Sequence, residues 1–428
     1  MGECYENGLG VSRNSDKAFF LFKEAADQKH LTGIYKLACC NRDKDHHETA
    51  FDLFLTAAQL GHAQSQFCVG NGYLHGSGTN VDNKRALHWF EKAASHGDAA
   101  SQFRLGSCHF SGLVVDEDPY EGFRWFRMAA EQGHAAAQAA LGHCYYNGNG
   151  ASLDLSRSLK WYRLAADQGN EDAQYSLGMC YLQGSGIEQD DRSAFKWFSQ
   201  AAYQGHLDST YELGKCCQFG KGTEKDLTEA ERLFKVAAGK DHAASCAAVA
   251  FFLFQGLAGE RDQEQAVEWY QRGANLGDQS SQYSIATHYE TGQGIERDYA
   301  QAAHWYEKAA VQGNADAQYR LSELFRLGTG IEKNIETADQ WLRLAKQNGY
   351  KGTNPRAVTT KSETDNSNLF EVAIFGGLIL VCVLIVFFFY LKGASDVSKN
   401  TSLDEVQIER GPNIQIPDEA MKLSLIHI

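Results

Sequence analysis

The chain has 428 residues and a formal net charge of −14, because 54 Asp and Glu residues outnumber 40 Lys and Arg residues. Nucleic-acid binding needs a basic surface for phosphate contacts, and the Lys and Arg of this chain form no block, so the composition excludes that class of protein. This length ordinarily indicates two or three domains, but a repeat array can reach it without one large core.

A repeat of 36 residues organises most of the chain. Its copies are aligned by an Ala-Ala pair or a substitute, which begins at Ala25, Ala57, Ala93, Ala129, Ala165, Ala201, Ala237, Gly273, Ala309 and Ala345. Every interval is 36 residues except the first, which is 32. A segment that recurs ten times in this way indicates a repeat architecture rather than a unique active site.

Each copy predicts two helices, since the turn signals leave about a dozen residues for each and the apolar residues fall at helical intervals. In one copy the first helix is predicted from Ala63 to His75, and it ends at Gly76 and Gly78, which tolerate positive φ. The second helix is predicted to begin after an N-cap residue, which is Asp82, Asp118, Asp154, Asp190, Asp226, Asp262 or Asp298, or Asn14 or Asn334. The sequences "DPYE", "DLTE" and "DYAQ" also predict capping boxes.

The tryptophans all share one position of the second helix, which predicts a column of structural core residues. They are Trp89, Trp125, Trp161, Trp197, Trp269, Trp305 and Trp341. Leu21, Leu53 and Leu233 fill this position in other copies, as a packing position permits and a ligand-stacking position would not.

These residues resemble the Sel-one-like repeat, a relative of the tetratricopeptide repeat, over residues 1–350. The shared pattern is A-x-A-x-x-x-L-G-x-x-Y-x-x-G-x-G, followed by D-x-x-x-A-x-x-W-[YF]-x-x-A-A-x-x-G. Val114 and Ala258 replace its second turn glycine, and Ala250 and Ser322 replace the glycine after its leucine. The resemblance implies an all-α, right-handed solenoid that serves as an interaction scaffold, without catalysis, cofactor or small-molecule substrate.

The eleven cysteines raise the alternatives of disulfide or metal chemistry. Four of them share one position of the first helix, each alone in its copy, and we expect small buried apolar residues there: Cys108, Cys144, Cys180 and Cys216. A cysteine-rich branch of the family pairs its cysteines within each copy, and β-lactamase-like activity is attributed to some of its members. Such a hydrolase is a distant alternative here, because a regular partner cysteine is missing.

After residue 350 the composition changes. Residues 351–371 predict a flexible polar linker, and residues 372–391, "VAIFGGLILVCVLIVFFFYL", predict a transmembrane helix, because twenty uncharged residues span about 30 Å. Residues 392–422 predict a polar tail. Residues 423–428, "LSLIHI", match one reading frame of a common sequencing adapter and are expected to be an artefact. The opening "MGECYENGLG" aligns with the middle of a first helix, so we expect the natural chain to start upstream.

The signals for the side of the membrane disagree. Lys392 and Lys399 follow the span closely, so the positive-inside rule places the tail in the cytoplasm and the repeats in a lumen or outside the cell. Unpaired cysteines instead suit a reducing compartment, and the glycosylation acceptor Asn400 lies on the tail side. The sequence therefore predicts a single-pass membrane protein without fixing the side of its repeats.

Two classes of function remain open. The chain resembles the membrane-anchored Sel-one-like subunit of the endoplasmic-reticulum ubiquitin-ligase complex, which implies a client-recruiting adaptor in endoplasmic-reticulum-associated degradation. The alternative is a cytoplasm-facing membrane scaffold for signalling or trafficking partners. In both classes the partners are proteins or peptide segments, and the span contacts the lipid bilayer.

A variable stripe is the candidate partner-binding surface. We define it as the first-helix positions equivalent to residues 68, 71 and 75, which spacings of three and four place on one helical face. Side chains there differ from copy to copy, and the candidates are Arg104, His143, Met179, Glu212, Lys215, Phe251, Arg320 and Glu323. A merely solvated face is the alternative.

Overall fold

The computed structural model describes residues 1–112 and 114–351. Within these residues the chain is an all-helical solenoid of twenty helices without a strand, as predicted. The first helices of the copies are α1 (Gly2–Asn7), α3 (Leu31–Arg42), α5 (Ala63–His75), α7 (Ala99–Ser111), α9 (Ala135–Asn147), α11 (Glu171–Gln183), α13 (Leu207–Phe219), α15 (Ala243–Gln255), α17 (Gln279–Thr291) and α19 (Ala315–Leu327). The second helices are α2 (Ser15–Asp27), α4 (His47–Gln59), α6 (Asn83–Ser95), α8 (Pro119–Glu131), α10 (Leu155–Asp167), α12 (Asp191–Gln204), α14 (Leu227–Ala238), α16 (Gln263–Asn275), α18 (Tyr299–Val311) and α20 (Ile335–Gln347).

Each helix packs on its neighbours along the chain. A second helix contacts the first helix of its own copy and the first helix of the next copy, as α12 contacts α11 and α13. The first helices α15 and α17 of two adjacent copies also contact each other. Side chains of other successive first helices also meet within the unit Met1–Tyr350, as Arg320 of α19 meets Glu290 of α17 and Tyr146 of α9 meets Gln183 of α11.

The helix caps follow the predicted chemistry in part. The Asp118 carboxylate accepts a hydrogen bond from the backbone N–H of Glu121 at 3.1 Å, as an N-cap should. The predicted capping box is wrong in its second half, because the Asp118 N–H donates to the His109 carbonyl at 2.8 Å and the Glu121 side chain pairs with Arg124. The same backbone bond forms at the other two predicted boxes, from Asp226 to Cys217 and from Asp298 to Tyr289.

The second turn glycine is required by its backbone. Gly222 has a φ of 72°, and a Cβ there would collide with the backbone oxygen of Asp191 at the start of the preceding second helix. Val114 replaces this glycine in another copy and adopts the same left-handed conformation, with a φ of 75°. Because a β-branched residue disfavours that region, the turn of this copy is strained.

In nine of the ten copies, the centre of the helix pair is an aromatic ring that follows the predicted tryptophan position by one residue, and Leu342 takes this place in the last copy. Phe198 and Tyr306 are fully buried there. A Cβ on Gly178 would lie 2.6 Å from the Phe198 ring, so the glycine of the first helix admits the ring of the second. The equivalent rings of other copies are also buried: Phe90, Phe126, Tyr162, Phe234 and Tyr270.

The tryptophans themselves occupy two environments. Trp197 and Trp305 are buried, as predicted for the whole column. The other five are partly buried and pack against the edge of the core: Trp89, Trp125, Trp161, Trp269 and Trp341. Consecutive helix residues point about 100° apart, so a tryptophan and the ring that follows it cannot both point into the centre of one helix pair.

A ladder of buried amides links most of the copies. Gln174 on α11 donates from Nε2 to the Ala166 carbonyl of the preceding copy at 3.2 Å, and its Oε1 accepts from Gln204 at the end of α12 at 2.8 Å. The same first link forms from Gln66, Gln102, Gln138, Gln282 and Gln318. Their Oε1 atoms in turn bond with His96, Gln132, Gln168, Gln312 and Asn348. We call these paired contacts the amide ladder.

The predictions for the C-terminal part of the chain lie outside the described residues. They are the linker at 351–371, apart from Lys351, the span at 372–391, the tail at 392–422 and the suspected artefact at 423–428. Among the helices of residues 1–112 and 114–351, none combines the length and the apolar character needed to cross a bilayer.

Candidate interaction surface

The variable stripe lies on the first helices, between the core ring and the solvent. Its eight candidate residues occupy α7, α9, α11, α13, α15 and α19. Arg104 and Met179 are half-buried, whereas His143 is exposed. The side chains of the stripe differ widely in exposure and in pairing.

Glu212 and Lys215 form an ion pair within α13. Glu212 is only 7% exposed, and its Oε1 accepts from the Lys215 Nζ at 2.8 Å. The same Nζ lies 5.2 Å from the centre of the Tyr211 ring, within range of a cation–π contact. The structure therefore corrects the expectation that both charges are offered to a partner. Lys215 presents the charge, and the buried Glu212 carboxylate holds it in place.

The apolar part of the stripe is concentrated on α13 and α15. Phe251 is 38% exposed while the next residue, Phe252, is buried, so the helix turns one ring inward and one outward. Phe219, at the position equivalent to residue 75, is 62% exposed. Sequence reasoning missed Phe219 as a candidate, although its place in the stripe and its apolar character could have identified it.

A polar network surrounds Arg320 at the boundary of α17 and α19. The Tyr306 hydroxyl reaches out of the core and donates to the Glu290 Oε2 at 2.6 Å. The Arg320 Nη1 lies 4.0 Å from the other oxygen of Glu290. Burial, reinforced by the Glu290 charge, raises the pKa of the Tyr306 hydroxyl, which stays protonated as a donor. Sequence reasoning missed Glu290, because its role depends on a contact between copies.

Glu323 and His143 are also engaged within the protein. The Glu323 Oε1 lies 3.7 Å from Arg326, whose Nη2 donates to Asp339 of α20 at 2.8 Å. The His143 Nδ1 lies 3.4 Å from the Tyr162 hydroxyl. Both residues can reach a partner only by sharing or exchanging these contacts.

Ten cysteines on the first helices are free thiols, and six of them are buried: Cys108, Cys144, Cys180, Cys216, Cys217 and Cys246. Burial raises the pKa of Cys144 and Cys216 to about 12 and that of Cys180 to about 11, so the reactive thiolate is suppressed. Within residues 1–112 and 114–351, no group of three His, Cys, Asp or Glu side chains has the arrangement of a metal site.

Comparison with known proteins agrees with this architecture. A family model described as the Sel1 repeat matches ten segments: 1–30, 33–62, 63–98, 99–134, 135–170, 171–206, 207–242, 243–278, 279–314 and 315–350. A comparison with curated protein sequences found no match.

Two solved structures are similar over most of their length. One is c5321, a protective antigen of uropathogenic Escherichia coli strains with an SLR fold, at 29% identity and a TM-score of 0.66 over 82% of this chain and 76% of that chain. The other is a Sel1 repeat protein from Oxalobacter formigenes, at 30% identity and a TM-score of 0.55 over 70% of this chain and 87% of that chain.

Proposed function

The chain belongs to the Sel1 repeat family, and from this premise we propose that it is a non-enzymatic, membrane-anchored scaffold that binds a polypeptide segment along the variable stripe. Sel1 repeat proteins bind other proteins, and solenoids offer long surfaces on which contacts from several copies add together.

The observation that carries the proposal is the contrast between two faces of the same first helices. The face toward the second helix repeats the same packing, with Gly178 against Phe198 and Gly214 against Phe234. The stripe changes from the ion-paired Lys215 to the half-exposed Phe251 in successive copies. Constant packing on one face and variable exposed chemistry on the other are what a binding scaffold requires.

The exposed chemistry favours a segment with apolar anchors and at least one acidic side chain. Phe219 and Phe251 offer aromatic surface, and aromatic residues are frequent binding hot spots. The Lys215 ammonium is held at the edge of this surface by Glu212 and faces a partner as a fixed positive charge. An extended or helical segment with these features would span α13 and α15.

In its narrower form the proposal is a client-recruiting adaptor in endoplasmic-reticulum-associated degradation. The order of repeats, linker and predicted span at 372–391 supports this form. The second form, a cytoplasm-facing scaffold for signalling or trafficking partners, is favoured by a different observation. The ten cysteines of the described residues are free thiols, which suit a reducing compartment.

Protease protection of the full chain in sealed microsomes separates the two forms. If the repeats face the lumen, an antibody against residues 1–350 detects a protected fragment until detergent is added. If they face the cytoplasm, the same fragment is digested without detergent, and the degradation adaptor is refuted while the scaffold remains.

The binding surface is tested by substitutions that other copies already carry. Phe251→Thr copies Thr287 of the next copy, and Tyr203→Asp copies Asp167 at a 93% exposed position of a second helix, so it serves as the matched control. Peptides selected from a random library on the full chain should bind the Phe251 variant about thirtyfold more weakly, because truncation at a hot spot costs about 2 kcal/mol. They should bind the Tyr203 variant as well as the unmodified chain. Equal binding by all three proteins would exclude the stripe as the binding surface.

A further inference from the structure

The amide ladder is interrupted on both sides of the copy 207–242. Thr210 occupies the glutamine position of α13, and its hydroxyl donates to the His206 carbonyl of its own helix at 2.9 Å instead of reaching the preceding copy. Cys246 occupies this position in α15, with its Sγ 4.0 Å from the Ala238 carbonyl. The residues that would pair with the two amides are replaced as well, by Lys240 and Leu276.

Surface contacts take the place of the ladder at these two interfaces. The His206 Nε2 lies 3.5 Å from Asp172, which belongs to the preceding first helix, and the His242 Nε2 lies 3.1 Å from Asp208 in the same way. The two Asp side chains are at least half exposed, so water competes for these contacts. The buried amide contacts of the other interfaces face no such competition.

A third copy lacks the ladder for a different reason. In the copy 33–62, Ile34 and Leu60 replace both members of the amide pair with apolar residues. Ile34 is buried, so apolar contact substitutes for the hydrogen bonds at this place. Only around the copy 207–242, within the part of the chain that the structure describes, do two successive interfaces exchange the ladder for exposed contacts.

We propose that the copy 207–242 is a joint in the solenoid, whose two interfaces open more readily than those between ladder-bearing copies. An intramolecular hydrogen bond typically changes an opening equilibrium by about fivefold. The first interface of the joint lacks one such bond, and at the second interface only the weaker Cys246 thiol contact and the exposed Arg272–Asp241 pair replace it. Lys215 and Phe251 lie on opposite sides of the second interface. Opening of the joint therefore changes the distance between them. We infer the joint from the hydrogen bonds at its two interfaces, and this inference does not depend on the proposed function.

The chain contains matched reporters for this opening. Cys144, Cys180 and Cys216 occupy the same position of three successive first helices and are 1%, 2% and 2% exposed. Burial suppresses all three thiolates in the closed state. Their rates of alkylation therefore report how often each copy opens, and only Cys216 lies in the joint.

The test is time-resolved alkylation of the full chain with N-ethylmaleimide, followed by peptide mass spectrometry. We expect Cys216 to react about fivefold faster than Cys144 and Cys180, because a missing hydrogen bond of ordinary strength shifts opening by that factor. Equal rates for the three thiols would overturn the proposal.

Two variants test the proposal in opposite directions. One adds the ladder pair to the joint, and the other removes it from a ladder-bearing copy. T210Q/K240Q introduces the ladder pair at the first interface and should lower the alkylation rate of Cys216 toward that of Cys180. Q138T/Q168K copies the joint into a ladder-bearing copy and should accelerate the alkylation of Cys144 by about fivefold, with the rate of Cys216 unchanged. If Q138T/Q168K folds and leaves the Cys144 rate unchanged, the ladder does not control opening, whatever the behaviour of the other variant.

Discussion

On six of the second helices a tryptophan is followed directly by Phe or Tyr. In four of these pairs only the second ring is buried: Trp89–Phe90, Trp125–Phe126, Trp161–Tyr162 and Trp269–Tyr270. The Phe198 ring fills the space above Gly178, where a single added Cβ would lie 2.6 Å from it. The tryptophan at the preceding position packs mostly at the edge of the core, as Trp161 does. The free energy of unfolding that is lost when one of these residues is replaced by Ala should therefore depend on how deeply its ring is buried, and not on the size of the side chain.

Phe198→Ala should therefore lower the free energy of unfolding by about 3 to 5 kcal/mol, the usual cost of removing a fully buried aromatic ring. Trp161→Ala should cost less, although it removes more atoms, because part of that surface already contacts water. Urea denaturation of the two variants measures the difference. A larger loss for the Trp161 variant would show that the tryptophan, not the following ring, dominates the core.

Part of this residue-scale picture could be predicted from the sequence. Leucine in the tryptophan column indicates packing, and Trp197 is indeed buried. The depth of the following ring could not be predicted from the column alone, because Trp and Phe are both apolar and lie one position apart. What decides between them is the direction of the neighbouring first helix, which is a property of the packed pair.

At the scale of the helix, the starts of the first helices depend on side chains that can titrate. His134 is the N-cap of α9, and its Nδ1 accepts from the backbone N–H of Ala137 at 3.2 Å. The ring also stacks on Phe103, with centres 5.2 Å apart. A protonated Nδ1 cannot accept a hydrogen bond, and burial lowers the pKa of His134 below its ordinary value. His62 caps α5 in the same way, and burial lowers its pKa too.

The unfolded chain therefore binds protons at these imidazoles at a higher pH than the folded chain does. Their contribution to stability is complete above the ordinary histidine pKa of about 6.5 and is lost as the pH falls below it toward the folded value. His62→Asn/His134→Asn should lose less stability between pH 7.5 and pH 5 than the unmodified chain, because Asn170 and Asn314 already cap equivalent helices without titrating. Urea midpoints at the two pH values test this, and an identical loss in both proteins would contradict it.

Element boundaries were the most predictable feature of the chain because their chemistry is local. The helix α5 has the predicted bounds, and the Asp caps bond as predicted. The state of Glu212 was not predictable in the same way, since its burial depends on how α13 packs against its neighbours. Contacts between copies, such as that of Arg320 with Glu290, leave no signal within a single copy.

At the scale of the whole molecule, the predicted span at 372–391 lies outside the described residues and stays a prediction. The full chain should remain in the membrane pellet through alkaline carbonate extraction, while a version ending at Asn366 should be released. Leu380→Arg should weaken insertion, because an arginine at the centre of a span costs about 2.5 to 3.5 kcal/mol. Leu380→Phe is the matched control and should insert normally. Release of the intact chain into the supernatant would refute the span.

The amide ladder also affects which helices of the solenoid can pair with each other during folding. Similar modules can pair the wrong helices during folding, an error characteristic of repeat proteins. Here the two members of the ladder pair occur together or are both replaced: Gln174 goes with Gln204, whereas Thr210 goes with Lys240. If α13 took the place of α11 beside α12, the Gln204 amide would lose its partner, at a cost of about 1 to 3 kcal/mol if it stayed buried. Exchanging helices between ladder-bearing and ladder-free copies therefore costs free energy. This cost favours the native order of copies whose sequences are otherwise similar.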